Sequence, residues 1–276
     1  MGQVVNTLPE GLPVYGVTSL GDEVFVLKWK ERDQVEVYDV ITYRLLRYIS
    51  IPDLRGFADM TSCKHDHCVY ISDPFVMCIH RVDVQSDAIR QWAVNDTPHG
   101  LSMTKAHNVL VTCPFVCKIK EFSSRGDLLR EMTLPDDVIN PLHAIGLHLT
   151  TGQYVVCHGD HGDDVHRVCV MSEYCTHIVH SHGGQPGSGT SQCNVPGHLA
   201  VDDDTEFVFV VDAFNRRVTL LSPTLNYIGC QVVSRDKLKW WPYRLHLDVQ
   251  RRRLYVVDNE YIDGKLTSGR VVVFSV

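Results

Sequence analysis

Between His158 and His166 the chain reads HGDHGDDVH, which sets His158, His161 and His166 among Asp160, Asp163 and Asp164. Imidazole nitrogens and carboxylate oxygens at this density can hold a divalent cation. Two glycines loosen the segment, however, and no fixed ligand interval recurs in it. A solvated surface loop is the favoured reading. A second stretch is cationic and aromatic: Arg216, Arg217, Lys237, Lys239, Trp240, Trp241 and Arg244. Indoles stack on bases, and guanidinium and ammonium groups grip phosphates or an acidic peptide. Against that stands a structural role, in which the tryptophans seal a junction and the arginines pair with Asp212 or Asp258. Arg251, Arg252 and Arg253 form a basic triplet that reads as a solvated turn. The glycine-rich run from His182 to Thr190 lacks the lysine of a phosphate-binding loop.

Composition narrows the classes. The chain has 276 residues, 44% of them hydrophobic and 21% charged, which is ordinary for a globular protein. A formal charge of -7 works against DNA, RNA and anionic membranes as bulk partners. No apolar run reaches the length of a membrane span. The opening MGQVVNTLPEGLPVYG has neither the basic region nor the apolar stretch of a signal peptide. A cytoplasmic protein, part of a larger chain, is expected. Its ten cysteines then read as reduced thiols, several of them inside apolar runs (Cys78, Cys113, Cys117, Cys157, Cys169 and Cys230).

The elements that must position these groups come from a repeat. Six short apolar runs end at residues 28, 73, 113, 158, 212 and 258, in steps of 45, 40, 45, 54 and 46. Each has an upstream strand with apolar residues at alternate places, such as Leu199 and Val201 or Leu245 and Leu247, and each has a downstream strand. A fourth strand follows in five of the repeats. No segment has the length and 3.6-residue period of a long helix. Short strands recurring at this interval predict an all-β, six-bladed β-propeller. The blades fall at about 14–51, 57–95, 98–134, 141–181, 196–233 and 242–276, in one domain over 1–276.

The sixth repeat lacks its fourth strand, and residues 3–8 form a spare strand ahead of the first. The spare strand is expected to complete the last blade and close the ring, which removes an exposed edge. On this arrangement Asp59, His198 and Arg244 occupy matching places on the innermost strands, with His99 and His143 one place further out. Asp59, His99, His143 and His198 are expected to ring the mouth of the central channel. An arginine among them disfavours a bound cation there, so no metal, no cofactor and no catalytic residue is expected.

The stretch Pro196-Gly197-His198-Leu199-Ala200-Val201-Asp202, followed by Val211-Asp212-Ala213-Phe214-Asn215-Arg216-Arg217-Val218, resembles the NHL repeat. That pattern is a Pro/Gly-led inner strand, an Asp-ended second strand and an Asn-x-Arg-Val entry to the third. The last repeat, Pro242 to Asp248 with Val257-Asp258-Asn259, is similar but carries an insertion from Glu260 to Gly269. In earlier repeats Lys28, Cys113 and His158 stand where the Asp would be. The resemblance implies a recognition module like those that end tripartite-motif ubiquitin ligases, which bind proteins or RNA. The RING and B-box spacings of such ligases do not occur here.

A non-catalytic module for a protein or peptide partner is therefore the favoured function. Single-stranded RNA binding by the cationic, aromatic stretch is the alternative, and a metal-dependent lyase or hydrolase at the channel the remote one.

Overall fold

The computed structural model describes residues 2–28, 34–56, 59–147 and 152–276, excluding the side chains of 229–231. Six antiparallel four-stranded sheets form a ring. They span residues 14–50, 60–93, 101–133, 141–184, 196–233 and 241–275. The chain is a six-bladed β-propeller. Within the first five blades the strands pair in sequence order, the innermost first, and in the last blade the N-terminal strand takes the outermost place. Among the described residues no helix is long and apolar enough to cross a membrane. Single 3-10 turns lie at Pro114–Val116, Ala213–Asn215 and Arg235–Lys237.

The second strands are continuous apolar runs because both of their faces are covered. In blade 4 (second strand Tyr154–His158) Val155 and Cys157 pack with Leu199, Val201 and Val210 of blade 5. Their neighbours Tyr154 and Val156 pack with Leu110 and Ile119 of blade 3. Period-two alternation thus sends successive side chains to opposite neighbours. Burying each such Val or Leu is worth roughly 1.5–3 kcal/mol.

Closure follows the expected strand exchange. Gln3–Thr7 pairs antiparallel with the last strand, Gln3 opposite Ser275 and Thr7 opposite Val272, with a bulge between Val4 and Asn6. Leu8 is buried with Val271 and Val273, and its N–H donates to the Val271 carbonyl at 2.8 Å. The Glu260 to Gly269 insertion is no separate loop. It lengthens the second and third strands of blade 6 into one hairpin, Arg253–Ile262 and Lys265–Ser275.

The outer strand of blade 4 runs Ile178–Gly184, past the expected end of that blade at 181. Residues 172–177 turn, with Ser172 N–H bonded to His177 O and Cys175 held at φ 56°. The inner strand of blade 2 is Met60–Cys63, so Asp59, expected on it, directly precedes it. The nine cysteines whose side chains are described are free thiols; the Cys230 side chain lies outside that set.

The Asp that ends a second strand has the same task wherever it occurs. Asp73 accepts the Arg55 N–H at 2.7 Å, Asp212 that of Asn194 at 2.7 Å, and Asp258 those of Lys239 and Trp240 at 2.9 and 2.8 Å. Asp73 and Asp212 thereby tie the connection from the preceding blade to the turn after their own strand, and Asp258, inside the extended strand of blade 6, ties it to Arg270 on the third strand. Burial alone would raise the Asp73 pKa; hydrogen bonds from His80 and from the Arg55, Gly56 and Val76 amides outweigh it and hold it below the usual range. For Asp212 burial wins, and its pKa is raised despite Asn215, Asn194 and Arg217.

Candidate functional site

The turns between second and third strands share one face with the connections between blades. Three of these turns are built alike. Asp73 Oδ1 accepts the N–H groups of Phe75 and Val76, and the turn ends with Met77 at φ 53°. In blades 3 and 5 a 3-10 turn ends on Cys117 and Arg216, at φ 49° and 52°. The same position in each turn carries phenylalanine. Phe75 is 72% exposed, Phe115 82% and Phe214 38%. Val76, Met77 and Val116 are exposed beside the first two. Gly56 is needed here, because a Cβ at that position would overlap the Phe75 ring.

Sequence reasoning passed over Phe75 and Phe115, since an apolar residue near a strand end reads as core. The available signal was the pair Pro74-Phe75-Val76 and Pro114-Phe115-Val116, each beginning one residue past its second strand.

The cationic stretch proves mostly committed to the fold. Arg216 donates to the carbonyls of Leu238, Lys239 and Trp240 at 2.7–2.8 Å. Arg217 is 8% exposed; it binds Asp212 at 2.6 Å and the carbonyls of Ser188, Gly189 and Gln192. An arginine on the third strand is drawn inward because the buried Asp212 needs a counter-charge, so Arg217 does not face a partner. Arg244, expected on this face, is 2% exposed and points to the ring axis, toward the Asp59 carboxylate. Lys239 pairs with Glu10 at 2.9 Å and lies 4.2 Å from the Trp240 ring centroid. Trp240 Nε1 donates to Glu260. Lys237 is exposed and pairs with Asp236. Trp241 is half-buried, its ring 5.5 Å from Phe214.

The axial residues do converge. Asp59 Oδ2 accepts His198 Nε2–H at 3.1 Å and the Leu101 N–H at 2.8 Å; Oδ1 accepts the Met60 N–H and lies 3.5 Å from Arg244 Nε. His143 Nε2–H donates to the Leu101 carbonyl, and the His143 and His198 ring centroids are 3.8 Å apart. All four side chains are buried. Burial would raise the Asp59 pKa, but His198, Arg244 and His143 hold it well below the carboxylate range. Burial, the largest cause for each, pushes the pKa of His143 and His198 down. His99, half-buried, donates Nδ1–H to the Leu142 carbonyl, and burial followed by Arg244 lowers it to about 4. His143 and His198 stand at the inner end of a cavity of about 400 Å³. It opens among the first-to-second strand turns, with Lys64 and His107 at its edge. Asp59, His143 and His198 each offer a ligand atom within 4.8 Å of the others. Both Nε2 atoms carry protons that are already donated, and the carboxylate charge is met by Arg244.

The His158 to His166 loop gathers no ligand set. His158 and His166 are buried, the latter accepting the Val195 N–H at Nδ1 and donating Nε2–H to Asp160 O. His161 points out against Phe214. On the opposite face the basic triplet is partly neutralised, Arg251 by Asp22 and Asp248, and Arg252 by Asp202.

No family model and no curated protein sequence matches the chain. Solved structures do. Virginiamycin B lyase from Staphylococcus aureus, solved as an inactive variant with quinupristin, is 11% identical with a TM-score of 0.61 over 99% of this chain and 98% of that one. Hydrazine synthase of Kuenenia stuttgartiensis is 12% identical, with a TM-score of 0.62 over 95% and 96%. The Cps50 (Swd1) β-propeller domain of Myceliophteria thermophila is 11% identical, at 0.61 over the full length of both. Identities this low establish a shared propeller fold.

Proposed function

We propose that the ring is a non-catalytic interaction module that takes a protein or peptide partner on the face bearing the second-to-third strand turns. One observation carries this reading: Phe75 and Phe115 stand in solvent at equivalent turns of adjacent blades, flanked by Val76, Met77 and Val116. Exposed apolar clusters repeated on one face mark an association site, and aromatic side chains dominate such sites energetically. The NHL-like motifs of blades 5 and 6 agree with a recognition role. Saturation of Asp59 by Arg244 and three N–H donors supports a structural rather than a catalytic axis. Commitment of Arg216, Arg217 and Arg244 to internal partners speaks against a phosphate-tracking groove.

The test is selection of a displayed random-peptide library on the immobilised protein, followed by titration against two double variants. Binders are expected to weaken about 10-fold or more on Phe75→Ser/Phe115→Ser and to be unchanged on Lys64→Ser/His107→Ser of the opposite face. Binders indifferent to both pairs would overturn the reading. A single-stranded RNA oligomer bound at micromolar affinity with steep salt dependence would replace it.

A further inference from the structure

On the same face, between blades 5 and 6, lies a recess of about 240 Å³ walled by Phe214, Trp241, Tyr243, Tyr261 and Leu266. Its volume is below the roughly 300–1,000 Å³ of pockets that enclose a small molecule, and suits one large side chain. The walls are apolar. Two of the rings already have guanidinium groups against them: Arg244 is 4.2 Å from the Tyr243 centroid and Arg216 is 5.9 Å from that of Trp241. Their faces are thus already engaged by cations, and an anionic guest would meet Asp160 at the rim. An uncharged, apolar guest fits.

Toward blade 4 the rim carries Asp160, exposed and in no ion pair among the described residues. Asp164, in the same second-to-third strand turn, and Asp136, in the connection leading to it, add exposed negative charge to that blade on the same face. Asp137 pairs with Arg167, and Asp163 accepts from Asn140. Residues flanking the guest would therefore be favoured as cations.

We propose that this recess is the socket for a single aromatic or branched aliphatic side chain of a linear peptide whose neighbouring residues are basic. The proposal rests on the binding-face reading and names the chemistry of the partner.

Fluorescein-labelled nonapeptides provide the probe: a central Phe, Leu or Ala flanked by Lys, and a central Phe flanked by Glu, titrated by anisotropy against the intact protein. The Lys-flanked Phe and Leu peptides are expected to bind about 10-fold or more tightly than the Ala and Glu-flanked ones. Phe214→Ser/Tyr261→Ser, or exposed Tyr261→Ser alone should the pair disturb folding, is expected to remove that preference. Asp160→Asn/Asp164→Asn is expected to weaken binding about 3-fold and flatten its salt dependence. Absence of peptide binding, equal binding of the Glu-flanked peptide, or indifference to the socket variants overturns the socket. Should binding instead be lost only in Phe75→Ser/Phe115→Ser, the socket fails and the face stands. Indifference to both pairs removes both.

Discussion

Asp59 Oδ2 lies 3.1 Å from His198 Nε2, joining blade 2 to blade 5 across the axis of the ring. The same carboxylate accepts a backbone N–H from blade 3 and faces Arg244 of blade 6. Asp59→Asn leaves the Arg244 guanidinium buried without its countercharge. A loss of about 3–5 kcal/mol is expected, read as a lower urea midpoint. Asp59→Asn/Arg244→Met should recover part of it, because the orphaned charge is gone.

Asp212→Asn is expected to cost clearly less than Asp59→Asn. Burial raises the Asp212 pKa, so its ionised form is held at a cost, whereas Asp59 is net stabilised as the anion. Arg217 also retains three carbonyl partners. Equal losses in parallel urea titrations would refute this difference.

Acid should destabilise the ring before its carboxylates titrate. Burial lowers His99, His158 and His246 to about 4. The unfolded chain, with imidazoles near 6.5, then binds more protons than the folded one between about pH 6.5 and 4. Stability from these groups is complete above that window and is lost as pH falls through it. His158, fully buried, accounts for on the order of 3 kcal/mol; solvent screening makes the half-buried His99 and His246 smaller contributors. Thermal midpoints at pH 7.5, 6, 5 and 4.5 should fall progressively, and less steeply in His158→Gln.

Leu8→Ala is expected to cost about 2–4 kcal/mol, since Leu8 is buried against Val271 and Val273. Deleting residues 2–8 bares the edge of the last strand, and light scattering should report self-association. A monomeric deletion variant of unchanged stability would contradict the closure role.

Phe75→Ser/Phe115→Ser should leave the fold within about 0.5 kcal/mol of the parent, because both rings are largely solvated. A much larger loss would show the rings to be structural.

The architecture was legible because it depends on local signals: apolar runs at a steady interval and one spare strand matched by one gap. The site was less so. Asp59 is separated from His198 by 139 positions, and no short-range pattern shows that they meet. Their matching places on inner strands did predict a common location. Arg217 and Arg244 read as surface cations, because burial of an arginine depends on a carboxylate arriving from elsewhere in the chain or fold. Phe75 and Phe115 carry a residue type that patterning assigns to the interior. Only the turn geometry of the folded blades turns them outward.

Closure also imposes an order on biogenesis. Residues 3–7 are synthesised before all six blades they help to close, and their hydrogen-bonding partners are residues 272–275. At about 5–20 residues per second the first strand waits roughly 15–50 s for its mate. During that interval the five earlier blades can stack, but they form an open arc with sticky edges at both ends. The nascent ring therefore meets its greatest risk of misassembly just before it is finished, and protection of its two ends would govern its yield more than the stability of any single blade.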